Sequence, residues 1–363
     1  MKAFFYVQHL LGIGHLKRAA ALARALEAAG FEVTLASGGA PVPGIRVLQL
    51  PSLSSDASFK SLLDETGKPV DDAWKARRRD LLLAAFRQTS PEVLLIELFP
   101  FGRRQMRFEL IPLLEAAIAA PRRPLIVCSV RDILQRNPAR EDETAERFER
   151  YFDRLLVHGD PRLAPFEASF GGAARLAGKL HYTGYVVDEP PPAGDAGAGE
   201  VLVSAGGGAV GRALLEAAIQ ARPLTRLARH TWRVLAGVNA MDLAGLRGDG
   251  VIVERSRNDF TLRLRNCVLS VSQAGYNTVM ETLQAGARAV LVPYAGGAES
   301  EQTSRARLLA GRGLVQVVEE DALTPGALAA AIDRAASAPR PAAGALDLDG
   351  ARRSAALIRG WTQ

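Results

Sequence analysis

The stretch downstream of the first predicted strand places two glycines, a histidine and two cations where that strand turns into a helix. It reads GIGHLKR over residues 12–18, after the apolar run FFYV. A glycine-rich turn of this kind lets backbone N–H groups and the helix N-terminus face an anion. Packing does not require His15, and its imidazole could act as a general base because its ordinary pKa lies near neutral pH. The alternative is that His15 caps its own helix.

A second glycine-rich turn follows the predicted strand EVLVSAG in the other half of the chain. Gly206, Gly207, Gly208 and Gly211 fit the pattern G-x-G-x-x-G of dinucleotide-binding folds. However, the next strand, TWRVLAG, does not end in the acidic residue that would hold a ribose hydroxyl. The loop at residues 12–15 also lacks a third glycine. These departures argue against a dinucleotide-dependent oxidoreductase.

The segment VLSVSQAGYNTVMETLQAGARAVLVPY is typical of a strand, a polar turn, a helix and a further strand. Residues 272–278 would form the turn and the helix start, where N–H groups can meet a diphosphate. Glu281, in the first turns of that helix, could accept hydrogen bonds from two ribose hydroxyls. Asn277 and Thr278 could instead be simple helix caps.

A further polar cluster follows the next strand, in PYAGGAESEQTSRA. Glu301 and Gln302 open a predicted helix there, and their carboxylate and amide could bind sugar hydroxyls. The alternative is a capping box in which Ser300 or Glu299 serves the helix start.

These candidate residues lie on a chain in which short apolar strands alternate with amphipathic helices over nearly its whole length. Near-continuous apolar strands alternating with helices predict parallel sheets covered on both faces, and hence two Rossmann-like domains. The segment DEPPPAGDAGAG, residues 188–199, cannot continue a helix or a central strand and is predicted to be a linker. The predicted helices are 15–29, 72–88, 105–120, 141–152, 209–221, 276–285, 299–311 and 324–336, with GARRSAALIRGW as a final amphipathic helix.

Composition narrows the classes of function. The 363 residues include 45 Lys and Arg against 39 Asp and Glu, a net charge of +6, and 6% are aromatic. No nucleic-acid-binding motif is present, and no apolar run approaches the roughly 20 residues that span a bilayer. Cys128 and Cys267 lie in apolar runs and are expected to be buried free thiols. The tract KARRR, residues 75–79, is expected to be a solvated helix face.

Six motifs occur in order along essentially the whole chain: GIGHLKR, RDIL, DRLLVHGDP, YTGYV, GYNTVME and EQTSRARL. Together they resemble GT-B glycosyltransferases of the family 28 type, and more closely a group of bacterial predicted glycosyltransferases. The resemblance implies an α/β fold in which two Rossmann-like domains face each other across a cleft. It implies an acceptor-binding domain over 1–187, the linker at 188–199 and a nucleotide-sugar-binding domain over 200–345. The C-terminal helix, 346–363, would return to the N-terminal domain.

The resemblance also implies the roles of individual residues. The donor-binding residues would be Ser204, Gly206, Gly207, Gly208, Gly275, Tyr276, Asn277, Thr278, Glu281, Glu301 and Gln302. The acceptor-side residues would be Gly12, Gly14, Arg131 and Asp132. Arg131 and Asp132 follow the predicted strand LIVCSV, and the alternative is that they form a salt bridge between cleft loops. His15 would be the general base, with Glu97 as the reserve base or as the residue that orients the acceptor. Relatives carry paired glutamines where this chain has Glu301 and Gln302, which would alter the donor sugar accepted.

The implied reaction is metal-independent transfer of a hexosyl unit from a nucleoside diphosphate sugar, by default a uridine diphosphate sugar, to a hydroxyl or amine. No cofactor beyond this co-substrate is implied. A nucleotide-sugar hydrolase or epimerase on the same fold is the main alternative, and a non-catalytic nucleotide-sugar sensor is another. A cytoplasmic protein is expected. Residues 98–108, LFPFGRRQMRF, could make weak peripheral contact with the inner membrane, or form a buried helix start with a solvated basic face.

Overall fold

The computed structural model describes residues 1–10, 12–42, 44–55, 61–206, 211–237, 243, 245–296, 300–342 and 344–363. These residues form two compact units. Unit 1 consists of Met1–Val186 and Asp349–Gln363, and unit 2 consists of Val187–Leu348.

Each unit is built on a parallel sheet with helices between successive strands. The strands are β1 (Lys2–Val7), β2 (Glu32–Ser37), β3 (Leu48–Gln49), β4 (Ser54–Ser55), β5 (Leu62–Leu63), β6 (Val93–Glu97), β7 (Leu125–Arg131), β8 (Arg154–His158), β9 (Leu180–Tyr182), β10 (Glu200–Ser204), β11 (Thr231–Leu235), β12 (Val251–Glu254), β13 (Leu269–Ser272), β14 (Ala289–Leu291) and β15 (Gln316–Val317). The α-helices are α1 (Gly14–Ala28), α2 (Asp72–Thr89), α3 (Arg107–Ile118), α4 (Glu141–Tyr151), α5 (Arg212–Ala221), α6 (Phe260–Asn266), α7 (Tyr276–Gln284), α8 (Glu301–Gly311), α9 (Pro325–Ser337) and α10 (Gly350–Thr362).

The order of the strands reverses once in each sheet. Within the described residues, the sheet of unit 1 runs β3-β2-β1-β6-β7-β8-β9 and that of unit 2 runs β12-β11-β10-β13-β14-β15. All of these pairings are parallel, and β4 and β5 form a separate antiparallel pair. In unit 1 the chain passes from β1 to one side of the sheet and from β6 to the other, and in unit 2 it does the same from β10 and β13. This divergence opens a crevice at the carboxyl ends of those strands. Ligands of open α/β sheets bind at such a point.

The predicted α/β architecture with two Rossmann-like units is confirmed. The central strands β1 and β6 are buried along nearly their whole length, as expected for a sheet that helices cover on both faces. Cys128 and Cys267 are buried free thiols, as predicted. Among the described helices, none is long and apolar enough to cross a bilayer.

Helix α10 belongs to unit 1 although it follows unit 2 in the chain. Ala355 and Ile358 are buried in the same core cluster as Leu16 of α1. Full burial of an aliphatic side chain of that size contributes about 1.5–3 kcal/mol. The entry to the helix is fixed by a backbone bridge between Val186 and Asp349, and by a hydrogen bond from Gly350 N–H to the Tyr185 carbonyl oxygen of 3.0 Å.

The proline- and glycine-rich segment 188–199 has no regular secondary structure, as its composition predicts, yet it is not a free linker. It lies within unit 2 and packs against α6. The Asn266 side-chain amide donates to the carbonyl oxygens of Gly194 at 2.8 Å and Ala196 at 2.9 Å. Composition gave no sign of this anchor because the partner lies about 70 residues further along the chain.

The expectation that residues 75–79 form a solvated helix face is wrong at one position. Arg78 of α2 has no exposed surface and pairs with the equally buried Glu109 of α3. Two helices that pack side by side therefore share a charged contact, because each guanidinium N–H can be matched by an acceptor in the core.

Candidate active site

The crevice of unit 1 brings His15 and Glu97 together. His15 is the second residue of α1, which follows β1, and Glu97 is the last residue of β6, the neighbouring strand. His15 Nδ1 lies 2.7 Å from Glu97 Oε1. His15 therefore does not cap its own helix; its ring is held by a carboxylate at the point where the strand order reverses.

Two arginines also surround Glu97. The Arg18 side chain donates to the same Oε1 atom, and Arg103 reaches the group from the loop between β6 and α3. Burial would raise the pKa of the Glu97 carboxyl, but the imidazole and the two guanidinium groups hold that pKa well below its ordinary value. Glu97 is therefore a buried anion, with its side chain 1% exposed.

The electrostatics favour an uncharged His15. The pKa of His15 is lowered to about 4: burial is the largest cause, Glu97 opposes it, and the two nearby guanidinium groups add to the lowering. A neutral ring whose Nδ1–H donates to a carboxylate has its lone pair on Nε2. His15 Nε2 makes no hydrogen bond with the residues that the structure describes, and the side chain is 17% exposed. This nitrogen can accept a proton.

This geometry corrects the expectation that Glu97 is a reserve base or orients the acceptor. Its carboxylate is enclosed and bonded to His15, so it orients the imidazole instead. Of the two glycines in the loop, Gly14 begins α1, and the space beside Gly12 where a Cβ would lie is open to at least 4 Å.

The two residues of the RDIL motif differ in their surroundings. Arg131 ends β7, the strand beside β6, and is partly buried. Asp132 is fully buried and accepts a hydrogen bond of 2.8 Å from the Tyr185 hydroxyl. Gly159 packs against it so closely that an added Cβ would lie 2.4 Å from the Asp132 Cβ. Asp132 thus holds two loops together and does not offer its carboxylate to an acceptor, contrary to expectation.

The segment 98–108 is the buried helix start rather than a membrane-contact surface. Phe99 and Met106 have no exposed surface, and Phe101 packs within 6 Å of three other phenylalanine rings. Arg104 and Arg107 both pair with Glu143 of α4. The apolar side chains of this stretch therefore point into the core, and its basic side chains are engaged with the protein.

In unit 2 the corresponding crevice lies beside the N-terminus of α7. The first N–H groups of a helix have no hydrogen-bond acceptor within that helix. The residue at the N-cap, Gly275, has extended geometry (φ −62°, ψ 142°) and no side chain to cap them. Asn277 and Thr278 lie inside the first turn of α7, after the N-cap residue, so they are not the helix caps that the alternative interpretation proposed. Both side chains are partly buried. This end of α7 combines partial positive charge with a vacant cap position.

The glycine loop after β10 approaches the same helix end. Gly206 has φ +70°, a conformation that favours glycine, and its N–H donates to Ser204 Oγ at 3.1 Å. A Cβ at Gly206 would lie 3.9 Å from Thr278 Oγ1. The two predicted donor-binding segments therefore meet at the point where the strand order of unit 2 reverses. Gly207 and Gly208 lie outside the described residues.

Three of the predicted donor-binding side chains are occupied with the protein itself. The Tyr276 ring is buried, with the Arg305 guanidinium 5.2 Å from its centre. Arg305 donates to Glu301 Oε1 at 2.7 Å, and both of these side chains are nearly or fully buried. Gln302 Oε1 accepts from the Tyr294 backbone N–H at 3.1 Å.

These contacts correct the expectation that the Glu301 carboxylate meets the donor sugar. Tyr276 can contribute only its backbone, and Gln302 retains its amide NH₂ for a ligand. Ser300 makes no side-chain hydrogen bond at the start of α8, so it does not serve the capping box of the alternative interpretation; Glu299 lies outside the described residues. The Glu301–Arg305 pair was readable from the sequence, because residues four apart face each other on a helix. Glu281 lies further along α7 and is partly buried.

Comparison with known proteins agrees with this description. Residues 248–347 match the glycosyltransferase family 28 C-terminal domain. The chain is 28% identical over 349 residues to the UDP-N-acetylglucosamine–N-acetylmuramyl-(pentapeptide) pyrophosphoryl-undecaprenol N-acetylglucosamine transferase of Phenylobacterium zucineum (strain HLK1), covering 90% of this chain and 87% of the relative. The same enzyme of Paramagnetospirillum magneticum (strain AMB-1) is 30% identical over 191 residues, 49% of this chain and 48% of the relative.

Two solved structures show the fold. Spinosyn rhamnosyltransferase SpnG complexed with thymidine diphosphate superposes with a TM-score of 0.67 at 16% identity, covering 100% of both chains. MurG of Acinetobacter baumannii superposes with a TM-score of 0.57 at 16% identity, covering 99% of this chain and 100% of that one. Both likenesses extend over the two units described above.

Proposed function

We propose a finer assignment for this chain, which is a glycosyltransferase similar to family 28 with the GT-B fold and a nucleotide-sugar donor. It transfers a sugar from a uridine diphosphate sugar to a hydroxyl or amine acceptor without a metal ion. The observation that carries the proposal is the His15–Glu97 pair, 2.7 Å apart at the crevice of unit 1. A pair of this kind is what deprotonation of a weakly acidic nucleophile needs.

On the acceptor side, His15 Nε2 takes the proton of the acceptor as its oxygen or nitrogen bonds to the anomeric carbon. Glu97 keeps Nδ1 protonated, and thereby selects the tautomer whose lone pair is on Nε2. Gly12 and Gly14 leave room beside the ring for the incoming group.

On the donor side, the bond from the anomeric carbon to the diphosphate oxygen breaks, and negative charge grows on the leaving group. The N-terminus of α7, with Asn277 and Thr278 in its first turn, supplies N–H groups and partial positive charge for that anion. Gly206 lets the backbone approach the phosphates closely. Glu281 binds the ribose, and Gln302 donates to a sugar hydroxyl. These groups provide the charge stabilisation that a metal ion provides in other transferases.

The nature of the nucleotide is proposed from the relatives. The curated relatives act on UDP-N-acetylglucosamine by name, and one solved neighbour is complexed with thymidine diphosphate. We extend the uridine nucleotide to this chain because its sequence identity to the first group is higher, 28% against 16%.

A location at the cytoplasmic face of the membrane belongs to the same proposal. The name of the relative contains an undecaprenol-linked acceptor, and this chain carries a net charge of +6, which favours weak contact with anionic lipid. Flotation with phosphatidylglycerol vesicles at low and high salt tests it. Recovery of the protein in the lipid-free fraction at both salt concentrations would refute the contact.

A thermal-shift comparison of UDP, thymidine diphosphate and NAD⁺ tests the donor assignment. A ligand that binds only the native state, at a hundredfold its dissociation constant, stabilises that state by about 2.7 kcal/mol. We expect UDP to raise the melting temperature and NAD⁺ to leave it unchanged. A shift with NAD⁺ and none with either diphosphate would contradict the proposal.

The variant His15→Ala tests the base. It should lower the rate of UDP release from UDP-N-acetylglucosamine about 10²–10⁴-fold while UDP still binds. Lys17→Ala, an exposed change in the same helix, should leave the rate unchanged. If free sugar appears at the same rate with and without acceptor alcohols, water is the acceptor, and the hydrolase alternative replaces the transferase.

A further inference from the structure

The carboxylate of Glu97 is shared between an imidazole and a guanidinium. Its Oε1 atom is bonded to His15 Nδ1 and to the Arg18 side chain, whose Nη2 also lies 3.3 Å from His15 Nδ1, and the charge of Arg103 acts on the same carboxylate. A carboxylate that pairs with a histidine alone stabilises the imidazolium and favours protonation of the ring. Here one negative charge already faces two positive ones before the histidine takes any proton.

We propose that Arg18 and Arg103 are positioning residues that neutralise Glu97, so that His15 stays uncharged and presents Nε2 as a proton acceptor even in acidic solution. The catalytic meaning of this inference rests on the proposed function, in which His15 is the base. Its physical content, the charge state of His15, does not.

The geometry places both arginines where they can act in this way. Arg18 lies three residues after His15, so the two side chains share one face of α1. The Arg18 side chain is 2% exposed, which leaves its charge little screened by solvent. A mobile surface cation could not play this part.

Arg103 lies in the loop between β6 and α3, where its backbone conformation and one hydrogen bond fix its position. Its backbone has φ +56°, a left-handed conformation that is uncommon for a residue with a side chain. Its Nε donates to the Gln8 carbonyl oxygen at the end of β1, at 2.8 Å. Strain of this kind persists when the surrounding structure fixes the residue, and it is found at functional sites.

The other titratable groups around this cluster are either neutral or add positive charge. Cys128 and His158 face Glu97 from β7 and β8, and burial raises the pKa of the thiol and lowers that of the imidazole, so both are neutral. Arg131 faces Arg103 from β7 and adds a further positive charge, while Tyr6 faces it from β1 as a neutral phenol. The pKa of His15 is lowered to about 4 chiefly by burial, and the charges of Arg103 and Arg18 add to that lowering.

Long-range ¹⁵N–¹H correlation spectra of the histidine rings test the inference directly. The chain has five histidines, and the resonances of His15 are identified by their loss in His15→Gln. In the wild type we expect the Nδ1–H tautomer with no titration between pH 8 and 5.5. In Arg18→Met and in Arg103→Met, each measured in the full chain, the pKa of His15 should rise by about two to three units, which brings its titration into that pH range.

Two controls separate charge from packing. Arg18→Lys keeps a cation at the same place and should leave the titration of His15 as in the wild type. Lys17→Met removes an exposed cation from the same helix and should also change nothing. Either arginine variant suffices if the other does not fold. The inference is refuted if His15 stays neutral to pH 5.5 in every folded arginine variant, or if it is already protonated at pH 7 in the wild type.

The rate profile gives an independent readout. In Arg18→Met, kcat/KM should match the wild type at high pH and fall below it as the pH drops, because the base becomes protonated. A role limited to packing would lower kcat/KM equally at every pH. If His15→Ala retains turnover, the proposed function loses its base, whereas the spectra still decide the charge state of His15.

Discussion

Arg78 of α2 and Glu109 of α3 form a bidentate ion pair in which neither side chain has any exposed surface. Arg78 Nε lies 2.8 Å from Glu109 Oε2, and Nη2 lies 2.9 Å from Oε1. Nη2 also donates to Gln8 Oε1 at 2.6 Å, and Nη1 donates to the carbonyl oxygens of Gly38 and Pro51. One guanidinium thus connects the ends of β1 and β2 to two helices. Through Gln8 it also contacts the loop that leads to His15.

Replacement of Arg78 by Met should destabilise unit 1 by about 3–5 kcal/mol, because it leaves the Glu109 charge buried without its cation. Arg78→Lys should not restore stability, since an ammonium cannot reproduce the planar fork of donors. Urea denaturation of both variants measures the effect. Arg79→Met, the neighbouring and more exposed arginine, should stay within about 0.5 kcal/mol of the wild type. Recovery of stability with lysine would show that charge alone matters.

Gly275→Asp should change stability and binding in opposite directions. The N-cap geometry of Gly275 suits aspartate, and no atom lies within 4 Å of the position of its Cβ. The new carboxylate should cap the first turn of α7 and stabilise the free protein by about 0.3 kcal/mol. It should also repel the diphosphate and occupy its N–H donors, so that UDP binds at least tenfold more weakly by calorimetry. Gly275→Ala is the matched control: it should gain no stability and should leave the affinity for UDP unchanged. Unchanged UDP affinity in the aspartate variant would place the diphosphate elsewhere.

Gly350→Ala should disrupt the attachment of α10. An added Cβ would lie 2.3 Å from the Gly184 carbonyl oxygen and 2.7 Å from the Tyr185 backbone. Overpacking of this severity costs about 1–3 kcal/mol or more. Gly360→Ala, in the last turn of the same helix with no atom within 4 Å of its Cβ position, should be neutral or slightly stabilising. Thermal unfolding of the pair distinguishes the two sites, and equal melting temperatures would contradict the contact.

His158 should make the protein less stable in mild acid. Burial lowers its pKa to about 3, and its ring nitrogens lie 2.8 Å from Ser129 Oγ and 2.9 Å from Thr183 Oγ1. Below about pH 6.5 the unfolded chain binds a proton that the folded chain does not. The free energy of unfolding should therefore fall by up to about 1.4 kcal/mol for each further pH unit. Urea curves at pH 7 and 5.5 should show a smaller decline for His158→Gln. An equal decline in both proteins would show that His158 is protonated in the fold.

The features predicted from local pattern are found in the structure, because local pattern determines them. The described helices begin and end within a few residues of the predicted ones, except that α6 was not foreseen; its seven residues, FTLRLRN, are too short for a clear periodicity. The two glycine turns lie at the two crevices because each follows the first strand of a parallel sheet. His15 was identified by its residue type at such a turn.

The errors concern pairings between distant residues. Glu97 lies 82 residues after His15, and only the adjacency of β1 and β6 brings them together. Arg78 sits in a run of cations that local pattern assigns to solvent, and its partner Glu109 is on another helix. Asp132 was taken for an accessible acid because it follows a strand, whereas Tyr185, 53 residues later, encloses it. Sequence spacing contains no information about such partners.

The position of α10 has a consequence for how the chain is made. Unit 2 is inserted between β9 and α10. The apolar face of α1 around Leu16 therefore stays uncovered until Ala355 and Ile358 have been synthesised, more than 300 residues later. On the ribosome, unit 2 can complete its own core while unit 1 still exposes part of its own. The half of the protein that begins first is therefore the half that finishes folding last, and chaperones would have their longest access to α1.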